Sequence, residues 1–394
     1  MRILFIGMVD SIHTARWINQ TADRGWGVYL FPVKFVNPHR ELRNVTIIGP
    51  TFIRPAGYDR SVHFIGLLPL PVQWNKIWIK AVNHLISGGL REHLLALIIR
   101  LWHPDIVHSL EMQQAGYLAL SAKRIIGNKF PAWIMSLWGS DLFLFGRLQA
   151  HREHVKAVLN ECDYLICECD RDITLSKELG FHGQNLPKYP VYGGFNLEHT
   201  GHLRSSPSTS SRRMILLKGY QHWAGRALVG LQALARCSGF LKDFEIAIYS
   251  ATPDVEIAAE ILAQETKIPI KIQTQCSHDE MLSLFGKARI HIGLSITDGL
   301  PGSLLESMVM GAFPIQSGTA CADEWIEDGK SGFIVPPEDP YRIAEAIRKA
   351  LIDDDLVDRA AEINAQVVKE RLDFINIQTR VISMYQEIYK TRKE

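Results

Sequence analysis

The 394-residue chain has no uninterrupted apolar run near the ~20 residues that a membrane-crossing helix needs; the best candidate, Leu94 to Leu101, is broken by Arg100. That excludes an integral helical membrane protein. It also lacks an excess of either charge. With 43 Lys plus Arg against 42 Asp plus Glu, the near-neutral balance argues against a nucleic-acid binder that holds many phosphates through a basic face, while leaving room for local patches. Cysteine is sparse: Cys162, Cys167, Cys169, Cys237, Cys276 and Cys321 have neither zinc-finger spacing nor the density of a disulfide scaffold. Cys167-Glu-Cys169 follows an apolar Tyr-Leu-Ile and fits reduced thiols at a strand end better than a metal site. The first residues, Met-Arg-Ile-Leu-Phe-Ile-Gly, enter an apolar strand without the charged start, long apolar core and small-residue site of a signal peptide, which points to the cytoplasm.

The length calls for two domains. Strand and helix signals alternate: Arg2 to Gly7, a helical stretch from His13 to Arg24, Gly27 to Val33, then Asp105 to Leu110, Ala132 to Trp138 and Tyr164 to Cys169. The alternation predicts an α/β fold with a parallel sheet covered on both faces. Between Glu198 and Arg213 the chain turns polar and aperiodic, as a linker does, and the pattern restarts with Met214 to Leu217, Phe244 to Ser250, Ile268 to Gln273, Ile290 to Ile296 and Phe313 to Gln316. The expected plan is a first Rossmann-like domain over 1–200, a linker over 201–213, a second over 214–370 and a closing helix over 371–394.

The most informative stretch is 298–314, Asp-Gly-Leu-Pro-Gly-Ser-Leu-Leu-Glu-Ser-Met-Val-Met-Gly-Ala-Phe-Pro. A buried strand ends before Asp298; Leu300, Pro301, Gly302 and Ser303 form a turn that opens a helix, and backbone N–H groups at a helix start favour an anion. Glu306 falls one turn inside, placed for the vicinal hydroxyls of a ribose while a diphosphate meets the helix end. A second account stands beside this one: Ser303 and Glu306 also fit Ser-x-x-Glu, a capping box that would explain both locally. Lys218-Gly219 ends one strand and Gly225-Arg226 precedes the next helix, two cations suited to a pyrophosphate.

The acid, seven residues, acid spacing, with the Gly-Ala-Phe-Pro-Ile-Gln strand after it and Glu324 in the next loop, resembles the donor signature of the retaining family 4 glycosyltransferases, which have the two-domain GT-B fold. The resemblance implies two doubly wound domains facing a cleft, with a final helix crossing back onto the first. It assigns the transferred sugar to Asp298, the ribose to Glu306, the diphosphate to Lys218 and Arg226, and further donor contacts to Gly219, Gln275, Leu300, Pro301, Gly302 and Ser303. Here the Lys-Gly and Gly-Arg elements come in exchanged order, and Tyr220-Gln-His-Trp223 is an unusual insert.

In the first half, Trp138-Gly-Ser-Asp141 resembles the family's His-Gly-Thr-Asp, with Trp138 in place of the His; Asp141 is carried over as catalytic, beside the alternative of a loop-capping Asp. His13 stands where many members have a Gly-rich loop and is a candidate for acceptor or diphosphate, or a helix-start residue without a reactive role. His108, Glu111, Gln114 and Trp138 are the acceptor-side candidates. Two Asp-x-Asp matches, Asp170-Arg-Asp172 and Asp353-Asp-Asp355, sit at a helix start and in a late acidic turn, far in sequence from the nucleotide motifs, so no metal or other cofactor is expected. Trp74, Ile77, Trp78, Ala81, Val82 and Leu85 form a helical stripe with two readings: core packing, or an interfacial helix giving peripheral membrane contact with a lipid-linked acceptor.

The expected activity is therefore metal-independent, retaining transfer of a sugar from a UDP or GDP donor to a glycan, lipid-linked or small-molecule acceptor. A sugar-nucleotide epimerase of the same two-domain plan and a non-catalytic nucleotide-sugar binding protein are the alternatives.

Overall fold

The computed structural model describes residues 1–51, 57–68, 89–204 and 208–392; the stripe from Trp74 to Leu85 lies outside them. The chain forms two compact units, Met1–Gly193 with Asn376–Glu394, and Gly194–Ile375. Each is built on a parallel sheet. The first contains β1 (Arg2–Gly7), β2 (Gly27–Pro32), β3 (Val45–Thr51), β4 (Val62–Leu68), β5 (Ile106–Leu110), β6 (Ala132–Ser136), β7 (Tyr164–Ile166) and β8 (Gln184–Asn185), in the order β4-β3-β2-β1-β5-β6-β7-β8. The second contains β9 (Met214–Lys218), β10 (Glu245–Tyr249), β11 (Ile270–Gln273), β12 (Ala288–Gly293), β13 (Phe313–Ser317) and β14 (Phe333–Val335), in the order β11-β10-β9-β12-β13-β14.

The central strands β5, β6, β12 and β13 are buried throughout, with no alternation of buried and exposed residues, because helices cover both faces of a parallel sheet. The chain order reverses between β1 and β5 in the first unit and between β9 and β12 in the second. At such a switch point the two connections leave in opposite directions, and a crevice opens at the carboxyl ends of the strands.

Three sequence expectations need correction. The helix expected over His13 to Arg24 is Ile12–Asn19. The strand expected to reach Ile296 ends at Gly293, which frees Leu294 to Pro301 as a loop. The polar stretch taken for a linker belongs to the second unit: Thr209 Oγ1 donates to Gly311 O at 2.7 Å, and Arg212 donates to the carbonyls of Ala288 and Met310 at 3.1 and 3.2 Å. Its polar side chains satisfy carbonyls at a helix end, so polarity there marks capping instead of solvation.

The final helix, Phe374–Thr391, delivers Ile377, Val381, Tyr385 and Ile388 at helical spacing into the first unit. Tyr385 Oη accepts from Trp17 Nε1 at 2.9 Å and lies 2.6 Å from His108 Nδ1. Among the described residues no helix is long and apolar enough to cross a membrane.

Candidate functional site

In the second unit, the switch point places Lys218 at the end of β9 beside the loop that follows β12. Two loops are zipped together there: Arg226 N donates to Leu294 O at 3.1 Å, and Ile296 N to Ala224 O at 2.9 Å. Glycine is required at the two closest approaches. A Cβ on Gly219 would lie 2.7 Å from Ala251 Cα, and one on Gly225 would lie 2.2 Å from Tyr220 O. The Tyr220–Trp223 insert is thereby folded into a short closed turn, in which His222 Nδ1 accepts from Ala224 N at 3.0 Å.

His222 marks how the charges converge. Burial and the nearby Lys218 and Arg226 push its pKa down, while Asp298 opposes them, so both cations and the acid act on this one ring. Lys218 Nζ rests 4.9 Å from the centre of the Tyr220 ring and has no ion pair among the described residues. Arg226 is more committed than the sequence suggested. Its Nε donates to Glu338 at 2.9 Å and its Nη1 to the carbonyls of His222, Ala224 and Gly225, leaving Nη2 for any further acceptor. Asp298 is half-buried, with Oδ1 accepting from Gly299 N at 2.9 Å.

The helix Gly302–Met310 starts at Pro301 without a side-chain cap. The capping box expected as one account of Ser303 and Glu306 is absent, because Ser303 is the second helical residue and its hydroxyl is turned into the interior, 7% exposed. The reciprocal box sits instead on the neighbouring helix His278–Lys287, between Ser277 and Glu280. Glu306 Oε1 lies 3.1 Å from His278 Nε2, the first residue of that helix. Behind the site, Tyr249 Oη is 3.1 Å from His291 Nε2; burial and the Glu306 charge hold the Tyr249 phenol well above its usual range, and burial with the Lys218 charge drives His291 down to about 3. Gln275 stands exposed in the loop before Ser277, with no side-chain hydrogen bond among the described residues. Sequence reading missed His278 and Glu338, because each reaches the site through tertiary contacts that no local motif encodes, and it gave no role to His222 inside the unusual Tyr220–Trp223 insert.

In the first unit, the carboxyl ends of β1, β5 and β6 carry the remaining candidates. His13 starts its helix behind the Ser11 cap, and its ring meets Trp138 edge-on with centres 5.8 Å apart. Glu111 has φ of +88°, an uncommon value for a residue other than glycine, and its carboxylate accepts from Gln114 N at 3.0 Å and Ala115 N at 3.5 Å at the head of a π-helical turn, Met112–Gly116. Asp141, 2% exposed, accepts from the backbone N–H of Met112 at 3.4 Å and of Trp138. Both acids are thus tied to loop backbones. The Gln114 side chain reaches Met8 Sδ at 3.7 Å.

His108 does not fit an acceptor contact. It is fully buried, burial holds it neutral with a pKa of about 3, and both ring nitrogens are engaged, with Tyr385 Oη at 2.6 Å and Ser136 Oγ at 2.7 Å. No atom of its ring is left for a ligand. The two Asp-x-Asp matches serve structure: Asp172 pairs with Arg171 at 2.9 Å and Asp170 with Lys188 at 2.7 Å, while Asp353 caps a helix and Asp354 pairs with Arg289 at 2.7 Å.

Residues 254–367 match the family described as Glycosyl transferases group 1, and residues 88–169 match Glycosyl transferase 4-like. Among solved structures the chain is similar to sucrose-phosphate synthase from Thermosynechococcus elongatus, with 14% identity and a TM-score of 0.71 over 99% of this chain and 100% of that one. It is similar to Anabaena HepE in complex with UDP-glucose, with 13% identity and a TM-score of 0.69 over 98% and 100%. A third likeness, with 10% identity and a TM-score of 0.68 over 99% of both chains, is to the E. coli trehalose-6-phosphate protein bound with UDP-2-fluoro glucose. No curated protein matches the sequence. At such identities the structural likenesses carry the fold: two parallel-sheet, Rossmann-like domains of the GT-B type.

Proposed function

We propose that the chain is a glycosyltransferase of GT-B fold, that its second unit binds a UDP-sugar and that it passes the sugar to an acceptor hydroxyl with retention and without a metal. The observation that carries the reading is the uncapped start of the Gly302–Met310 helix, next to a loop that gathers Lys218, Arg226 and Asp298 around His222. An anion meets unpaired N–H groups and the positive helix end there. Glu306, one turn further in beside His278, takes the ribose hydroxyls; the Anabaena and E. coli proteins, whose ligands are UDP-glucose and UDP-2-fluoro glucose, favour uracil over guanine.

The barrier to transfer is cleavage of the bond between the anomeric carbon and phosphate oxygen, as positive charge grows on the sugar and negative charge on the diphosphate. Lys218, Arg226 Nη2 and the helix N–H groups meet the leaving charge from fixed positions, which is where electrostatic catalysis is most effective. Side-chain cations in that role take the place of a divalent metal. Asp298 lies at the sugar end as a single carboxylate, so attack proceeds on the face that the diphosphate leaves, with a phosphate oxygen receiving the acceptor proton. In the first unit, Gln114, Trp138 and His13 are assigned to the acceptor, and the buried Glu111 and Asp141 hold the loops that carry them.

The test is incubation with UDP- and GDP-sugars, alone and with glycan, lipid-linked and small-molecule acceptors, followed by product analysis. Slow hydrolysis of a UDP-sugar and transfer with retained configuration are expected. An epimeric nucleotide sugar, or binding with no turnover under any condition, would overturn the reading.

A further inference from the structure

The Tyr220–Trp223 insert and the residues after it form a loop closed from several sides. Tyr220 O accepts from Ala227 N at 3.1 Å, Gln221 Oε1 accepts from Leu228 N at 3.2 Å, and Arg226 Nη1 donates to His222 O at 3.3 Å. One imidazole is held inside this frame. His222 Nδ1 accepts from Ala224 N at 3.0 Å and from Gly225 N at 3.4 Å, so it carries a lone pair and the proton of the neutral ring is on Nε2. The ring packs against Tyr220 and Trp223, with centres 5.3 and 5.5 Å away, yet the residue stays exposed and Nε2 has no hydrogen bond among the described residues. A fixed N–H donor is therefore open to a ligand.

The charged groups facing the ring come from separate elements. Lys218 ends β9, Arg226 closes the His222 loop, Asp298 stands in the loop after β12, and Glu338, from the loop after β14, is paired with Arg226. Two backbone bonds, Arg226 N to Leu294 O and Ile296 N to Ala224 O, form an antiparallel stitch that runs on towards His222 on one side and Asp298 on the other. Lys218 and Arg226 disfavour a second proton on the ring, so His222 stands beside them as a neutral donor. Two cations and an oriented N–H at one crevice suit an anion with several oxygens, as a diphosphate has.

We propose that His222 is a donor-binding residue whose Nε2–H donates to the diphosphate of the nucleotide sugar, alongside Lys218 and Arg226, and that the Tyr220–Trp223 insert holds it in that tautomer. That the diphosphate belongs to a sugar donor rests on the glycosyltransferase reading; the contact to a diphosphate does not. Closing the turn would by itself account for an acceptor at position 222, but Asn serves that purpose equally: its Oδ1 stands one bond from Cγ, as Nδ1 does, and accepts from the N–H two residues on. Asn has no atom at the place of Nε2. His222→Asn therefore keeps the turn and removes the donor, which separates the two roles.

Calorimetric titration of His222→Asn should show UDP affinity lower by at least about fivefold and uridine affinity unchanged, because only the diphosphate loses a partner. Unchanged UDP affinity, or an equal loss for UDP and uridine, would overturn the contact. A second measurement uses the wild type alone. In protein labelled with 15N at histidine, the neutral His222 ring should carry its proton on Nε2, and UDP or inorganic pyrophosphate should raise its titration midpoint by at least about half a pH unit, since negative charge at Nε2 favours the second proton. A neutral ring protonated at Nδ1, or a midpoint that neither anion moves, would refute the proposal. The two readings fail separately. If His222→Asn weakens UDP in a protein that transfers no sugar under any condition, the glycosyltransferase reading falls and the contact stands; if that variant binds UDP and transfers sugar as the wild type does, the contact falls and the reading stands.

Discussion

Arg226 donates from Nε to Oε1 of Glu338 at 2.9 Å across 112 positions of sequence, so the second cation of the donor loop is already partnered by an acid from the loop that follows β14. Glu338 is 65% exposed, and a pair of that kind is worth at most about 1 kcal/mol. Releasing the guanidinium by Glu338→Gln should therefore raise affinity for UDP about two- to fivefold, and less at high salt, in calorimetric titration. Unchanged or weaker binding would show that Glu338 does not compete with the diphosphate.

Lys218 has no such competitor among the described residues; its ammonium lies against the Tyr220 ring. Lys218→Ala should lower kcat by about 100-fold, the scale for removing one preorganised donor from a developing anion, with a smaller change in acceptor KM. Arg226→Ala should cost less, because most of its nitrogens serve its own loop. Equal turnover in both variants and wild type would place the leaving group elsewhere.

Turnover should survive EDTA. Asp170, Asp172, Asp353 and Asp354 are engaged in ion pairs and caps, and their substitution by Asn should lower melting temperature without changing the response to divalent ions. Activity lost in EDTA and restored by magnesium or manganese would contradict the metal-free mechanism.

The buried histidines make acid stability predictable. His108 and His291, each driven to about 3 by burial, bind a proton more readily unfolded than folded. Their contribution is thus present above the ordinary histidine range near about 6.5 and is lost as pH falls from there towards about 3, at roughly 1.4 kcal/mol per pH unit for each proton. His108→Gln should flatten that acid slope for the first unit in denaturant titrations, even where it lowers stability at neutral pH. Tyr385→Phe leaves Trp17 Nε1 and His108 Nδ1 without their shared hydroxyl and should cost about 1–3 kcal/mol at neutral pH.

What the sequence revealed follows from how local each signal is. The strands ending at Lys218 and Tyr249 were legible because buried parallel strands are continuous apolar runs, and the donor loop because its glycines and acids are adjacent in the chain. Val45–Thr51 and Val62–Leu68 escaped notice: each carries glycine inside the strand, and the sheet-edge position of the second leaves His63 and Ile65 exposed. Phe333–Val335 is too short to show a period. Arg289, 1% exposed, reads as a polar strand end but closes the last turn of the helix Pro340–Ile352 by donating to Ala350 O and Leu351 O at 2.9 and 3.1 Å. His278 and Glu338 are 28 and 112 positions from Glu306 and Arg226, and Glu111 and Asp141 follow two separate strands, so no local motif shows either grouping.

Glu306 offers the sharpest test, because its two sequence accounts predict opposite results and the fold already disfavours one. A capping role would make Glu306→Gln mild and Ser303→Ala costly by about 1 kcal/mol. Since the Gly302–Met310 helix has no side-chain cap, Ser303→Ala should change stability by less than about 0.5 kcal/mol. If Glu306 holds the ribose, Glu306→Gln exchanges charge-assisted bonds, worth roughly 1.5 to 3 kcal/mol each, for weaker neutral ones, and UDP affinity should fall at least about tenfold. His278, 3.1 Å from Glu306, orients the carboxylate, so His278→Phe should weaken UDP by a smaller factor without abolishing binding. Melting of the ligand-free protein should barely move in any of the three. Near-wild-type affinity in Glu306→Gln would end the assignment of this carboxylate to the ribose, because no other change at the helix start accompanies that substitution.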